Sequence, residues 1–113
     1  MRPESRKLLW DAGHAAELAK TFVLGRTLAD YVTDNLLRSG MERQLEIMGE
    51  ALAQLRSGDV RTAELVPRLR DIVAFRNILA HGYAGVDDVL VWQVVANDLD
   101  ELIQTLSGLL GEA

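Results

Sequence analysis

Four side chains within one short stretch carry chemistry that a helix does not need for its own sake: Arg76, Asn77, His81 and Tyr83. Guanidinium is suited to bidentate contact with phosphate or carboxylate oxygens. Imidazole takes up and gives off protons near neutral pH. The carboxamide and the phenol add hydrogen bonds, and no carboxylate stands between Arg76 and Tyr83. Such a set suits a substrate that already carries negative charge, and phosphate is the natural candidate. On a helix Asn77 and His81 are neighbours at i, i+4. Arg76 and His81, at i, i+5, splay by about 140°. A straight helix cannot aim both at one point. Either the helix ends at His81, or two copies of the stretch meet across a two-fold axis.

The ordinary readings of the same residues are structural. An Arg in a helix is usually a surface or ion-paired residue, and a His before Gly82 commonly closes a helix. What lifts the cluster above them is the helix that carries it. Leu69, Ile72, Val73, Arg76 and Ala80 fall on one face, so a charge interrupts an apolar stripe, where it is costly unless paired or used.

The elements that must position this helix read as helices too. Polar–apolar alternation is absent and helix formers dominate. A first helix is expected over about Glu4 to Leu24, then a short one through Thr33 behind a capping-box-like Thr27. A long helix capped by Asp34 or Asn35 should reach about Leu55, with Leu37, Met41, Leu45, Met48, Leu52 and Leu55 as its stripe. Ser57-Gly58-Asp59 breaks it. Pro67 fits the first turn of the helix that ends near His81, and Gly82 and Gly85 mark its exit. Asp87-Asp88 can cap a last helix with Val91, Val94, Val95, Leu99, Leu102, Ile103, Leu106 and Leu110 on one face. The expected architecture is all-α: an up-and-down four-helix bundle with one short extra helix, a single domain over residues 1–113.

Composition narrows the function classes. At 113 residues and 49% hydrophobic, the chain can bury one core unaided. It has no cysteine, which removes disulfides, thiol nucleophiles and thiolate metal sites together. No apolar run approaches the roughly 20 residues of a membrane span, and the N-terminus lacks a signal peptide's long apolar region. A cytoplasmic protein with no membrane association is expected. All 12 basic residues, ten of them Arg, lie in residues 1–76 beside 11 acidic ones; residues 77–113 hold six acidic residues and no basic one. With a net charge of −5 the chain is a poor nonspecific nucleic-acid binder, so phosphate chemistry must use a local patch.

Arg76-Asn77-Ile78-Leu79-Ala80-His81-Gly82-Tyr83 resembles the signature of the HEPN superfamily in the form carried by HepT-like toxins: Arg, a polar residue, three residues, His, one residue, Tyr. Met41 to Ala51 resembles the second-helix segment of that group. Gly85-Val86-Asp87, Val91-Trp92 and Asn97-Asp98-Leu99 resemble its C-terminal stretch. The likeness spans most of residues 4–110. It departs at Ser57 to Val66, where relatives have a different, proline-containing approach to the third helix. The resemblance implies a metal-independent endoribonuclease, without cofactor, acting on RNA as a two-fold homodimer. It implies a toxin–antitoxin pair whose antitoxin, a minimal nucleotidyltransferase encoded by an adjacent gene, attaches AMP to Tyr83. The site residues it implies are Arg76, Asn77 and His81. The alternative is a noncatalytic helical partner, or nucleotide-binding module, of such a nucleotidyltransferase.

Other residues read as structural. Glu42, Glu46 and Glu50 recur every four residues, as on a solvated, Arg43-paired helix edge. Arg38 and His14 are expected on the surface, Trp10 and Trp92 in the core or an interface, and Asp87-Asp88 as a cap with no metal role.

Overall fold

The computed structural model describes residues 1–81 and 86–111. Among these the chain is helical throughout, with no strand. The elements are α1 (Pro3–Val23), α2 (Leu28–Thr33), α3 (Asn35–Gly58), α4 (Val60–Ala63), α5 (Leu69–His81), α6 (Asp88–Gln93) and α7 (Leu99–Leu110). A single π-helical turn, Val94–Asp98, joins α6 to α7.

Local chemistry sets most of the boundaries. Pro3 stands at the start of α1, where its missing N–H leaves no partner unsatisfied. Thr27 and Asp30 form a reciprocal capping box at α2. The Asp34 side chain accepts from the Leu37 N–H to open α3, and Asp87 accepts from the amides of Val89 and Leu90 to open α6. In each case a side-chain oxygen satisfies an amide that the first helical turn leaves free.

α1 lies against α3 and α7, and α5 packs on α3. Arg2 donates to the carbonyl of Gly58, and Ser5 donates to Asp59. Gly40 meets the Phe22 ring at the other end of the pair. The start of α1 thus lies beside the end of α3, and the two run antiparallel. Lys20–Asp100 and the Arg6 bond to the Leu110 carbonyl place α7 antiparallel to α1 in the same way. Between them lie Leu9, Ala12, Ala16, Ala19, Met41, Leu45, Leu52, Leu55, Val95 and Leu106, all fully or almost fully buried. Alanines on the buried face of α1 let the backbones approach; leucines and methionines of α3 fill the space between them.

Three expectations are corrected. The last helix is not continuous: the π turn inserts at Val94–Asp98, between two segments that share the apolar face. Ser57-Gly58-Asp59 ends α3 as expected, but the stretch to Val66, expected as a loop, opens with a one-turn helix, α4, that Asp59 caps through the Thr62 amide. Pro67 lies outside α5, which begins at Leu69 after Arg68 takes a left-handed conformation with φ 60°. Gly82, Tyr83 and Gly85 lie outside the described residues.

Candidate active site

α5 carries its polar residues on two faces. Leu69, Val73 and Leu79 are buried, while Asn77, Ile78 and His81 are exposed. Arg76 lies between the two sets, with a side chain 28% exposed, and points to α3. The approach of the helices there is close. A Cβ on Gly49 would stand 2.2 Å from Arg76 Cβ and 2.6 Å from its Cγ, so only glycine fits without moving a helix.

Of the two ways to relieve a charge on the apolar stripe, pairing is present. Arg76 Nη2 is ion-paired with Glu50 Oε2, and Nη1 donates to Asn77 Oδ1 at 3.0 Å. The Glu50 carboxylate is itself held: its other oxygen accepts from Gln54 Nε2 at 3.2 Å. Arg76 Nε is buried and has no hydrogen-bond partner among the described residues. A groove of about 250 Å³ runs beside this network between α1, α3 and α5, with Leu8, Ile47 and Ala80 as its apolar walls. Asp11, Glu46 and Arg43 stand at its edge, and Arg43 pairs with Glu46 at 3.8 Å.

The acidic residues of α3 therefore do three different things, where the sequence suggested one solvated edge. Glu46 pairs with Arg43 as expected, and Glu50 is tied to Arg76. Glu42 is half-buried; burial, then the negative charges of Asp88 and Glu46, push its pKa up. Burial, with Glu42 and Asp88 nearby, also pushes the Tyr31 hydroxyl well above the ordinary phenol range. That hydroxyl has no hydrogen-bond partner among the described residues.

Arg38 is less peripheral than the sequence suggested. Its Nη1 donates to the carbonyls of Tyr31 and Val32, its Nη2 to Asn35 Oδ1, and its Nε lies 4.0 Å from Asp88. It satisfies carbonyls at the end of α2 and ties α2 to α6. Trp10 is 50% exposed and stacks on His14 with ring centroids 4.5 Å apart, so it is not a core residue. Trp92 does pack inward, tilted on Tyr31 at 5.8 Å. Among the described residues no three His, Asp or Glu converge as a metal-binding group.

Of the four residues singled out from sequence, the structure brings Arg76 and Asn77 into direct contact. His81 ends α5 on the exposed face with no hydrogen bond or ion pair among the described residues. Tyr83 lies outside them. Gly49 and Glu50 were missed as partners of Arg76. The α3 stripe runs unbroken past them from Met48 to Leu52, and nothing local says which helix faces them.

A family model described as HepT-like, ribonuclease HepT-like, matches residues 12–109. The chain is 29% identical over 102 residues to the probable ribonuclease HepT of Thermococcus cleftensis, covering 90% of this chain and 92% of that one. It is 29% identical over 99 residues to a protein of Methanocaldococcus jannaschii that carries a provisional RNase name, covering 86% and 88% of the two chains. A protein of Caldanaerobacter subterraneus with a similarly provisional RNase name is 31% identical over 88 residues, 78% of each chain. No solved structure matches.

Proposed function

The chain belongs to the HepT-like ribonuclease family of the HEPN superfamily, and from that premise we propose that it is a metal-independent endoribonuclease toxin. The observation that carries this reading is the state of Arg76. It is half-buried at the edge of a groove and gripped at two terminal nitrogens, yet it has more N–H donors than partners among the described residues.

The reaction needs a base, an acid and a cation around one phosphodiester. The 2′-hydroxyl loses its proton to a base and attacks phosphorus; the bond to the 5′-oxygen breaks, and that oxygen takes a proton from an acid. The products are a 2′,3′-cyclic phosphate and a 5′-hydroxyl. His81 is the proton-transfer group, Arg76 stabilises the charge that builds up on the phosphoryl oxygens, and Asn77 orients the guanidinium. One protomer supplies one motif histidine and a second copy supplies the other. Ile78, 51% exposed between Asn77 and His81 on α5, supports an apolar contact between copies at this face. A two-fold axis there answers the angular splay between Arg76 and His81.

The antitoxin of this reading is a minimal nucleotidyltransferase encoded by an adjacent gene, which adds AMP to Tyr83. Phosphate and adenosine beside the motif would compete with RNA for the cationic groups. Co-expression with that neighbour should give intact masses raised in steps of one AMP, absent in Tyr83→Phe. Neutralised toxicity with unchanged mass would leave inhibition by binding alone.

Purified protein incubated with RNA in EDTA, beside His81→Ala, tests the enzyme. Cleavage by the wild type that the variant lacks supports the reading; equal cleavage by both removes His81 from the site. The competing reading, a noncatalytic partner or nucleotide-binding module of a nucleotidyltransferase, draws on the Glu50 carboxylate already paired with Arg76 and on the acidic net charge. It predicts binding to that enzyme and no cleavage at all.

A further inference from the structure

We infer that Glu50 is a positioning residue for Arg76, fixing the plane of the guanidinium before substrate arrives; the inference rests on the ribonuclease reading above. Four side chains from two helices form one hydrogen-bonded row. Gln54 Nε2 donates to Glu50 Oε1, Arg76 Nη2 pairs with Glu50 Oε2, and Arg76 Nη1 donates to Asn77 Oδ1. Each carboxylate oxygen of Glu50 is engaged, one by α3 itself and one by α5. The carboxylate is therefore oriented before it orients the arginine.

Gly49 makes the row possible. Its missing side chain lets α3 and α5 approach until Cβ of Arg76 occupies the space that a side chain on α3 would take. The next residue, one hundred degrees round the helix, is then within reach of the guanidinium. A flexible arginine tethered at both terminal nitrogens loses rotation about its last bonds, so less ordering remains to be done when a phosphate binds. Each terminal nitrogen still carries a second proton, and Nε a third, beyond those engaged by Glu50 and Asn77.

A carboxylate could instead compete with phosphate for the same cation. Glu50 and Arg76 are 45% and 28% exposed, and a pair so open to water is weak in net energy. It can set a direction at little cost to substrate, and it cannot hold the guanidinium against a phosphate ester with charge to match. Positioning and competition have opposite signatures. Loss of positioning lowers kcat, because the geometry matters most in the transition state. Loss of a competitor lowers KM.

The test uses the full chain, with kcat and KM measured on a defined RNA oligonucleotide for Glu50→Gln, Glu50→Ala and Gln54→Ala. Glu50→Gln keeps size and one acceptor but removes the charge; it should lower kcat by ~10- to 100-fold, the scale of a misplaced catalytic group. Glu50→Ala should lose at least as much and Gln54→Ala less, with melting by circular dichroism little changed. The deciding arm is the Arg76→Ala background, where Glu50→Gln should have no further effect. A structural role would lower activity there as well, and that result overturns the inference. So does wild-type kcat in Glu50→Gln, or a lowered KM with a faster reaction. A wild type that cleaves nothing removes the ribonuclease reading and the inference with it, whereas a wild type matched by Glu50→Gln removes the inference alone.

Discussion

Two polar clusters, one at the end of α3 and one inside it, are built from similar groups and treat them differently. At the end of α3, Asp59 has a side chain 15% exposed and is saturated with donors. Ser5 Oγ gives to it at 2.5 Å, Thr62 Oγ1 at 2.6 Å and the Thr62 amide at 3.2 Å, with Arg2 at 3.9 Å. The donors come from α1, the α1 N-terminus and α4, and the carboxyl is drawn down to about 2, chiefly by the Ser5 and Thr62 hydroxyls. At mid-helix, Arg76 is held by Glu50 and Asn77 but keeps donors in hand, one of them buried. A polar group that only holds a fold together is satisfied within it, because each unmet donor or acceptor is a penalty with no return. Arg76 has donors that no described residue meets, and so has capacity for a further partner. Asp59 is finished by the fold, and Arg76 is not.

The sharpest way to break the contrast is to remove the unfinished groups. His81→Ala should lower cleavage by ~10²–10⁴-fold, the usual contribution of a positioned acid or base, with the helical circular dichroism unchanged. An equal loss in a Ser5 or Asp59 variant would show that the two clusters are not separate in function.

Gly49→Ala strikes the packing that brings Arg76 to Glu50. The new methyl would overlap the Arg76 side chain, so the helices must part, lowering stability by ~1–3 kcal/mol as other overpacked cores do. Urea unfolding measures this, and cleavage should fall with it. An unchanged midpoint would mean that α3 and α5 can separate freely.

Ser5→Ala should be milder, lowering the urea midpoint by less than Gly49→Ala does because it removes one hydrogen bond and leaves Asp59 its Thr62 donors, with kcat unchanged. The smallest effect is the pH response of the same cluster. The folded carboxyl of Asp59 titrates at about 2, against 3.8 for the ordinary group. Below 3.8 the unfolded chain takes up that proton first, so the stability contributed by Asp59 is fully present above 3.8 and lost as pH falls towards 2. Melting temperature in Asp59→Asn should depend less on pH across that window than in the wild type. Parallel curves would place the acid sensitivity elsewhere.

Elements that rest on near neighbours were legible in the sequence. The capping box at Thr27, the Asp34 and Asp87 caps and the α3 stripe are all settled within one or two turns of chain, so pattern and residue type suffice. The π turn at Val94–Asp98 was not legible, since its apolar residues satisfy an unbroken α-helix equally well. Trp10 was expected in the core or an interface; it is not in the core but half-exposed on α1, stacked on His14.

The candidate site divides along the same line. Sequence by itself determined the residue types and their angular order on α5: an Arg interrupting the apolar stripe, with Asn77 and His81 as neighbours at i, i+4. These follow from helical geometry alone. Only the tertiary structure decided that the charge of Arg76 is met by Glu50, that Gly49 is where the helices touch, and that Asp59 is sealed by Ser5 of a distant helix. The physical reason is range. Helix periodicity and capping act over three or four residues, whereas a pairing between residues 26 or 54 positions apart exists only once packing has brought two helices together.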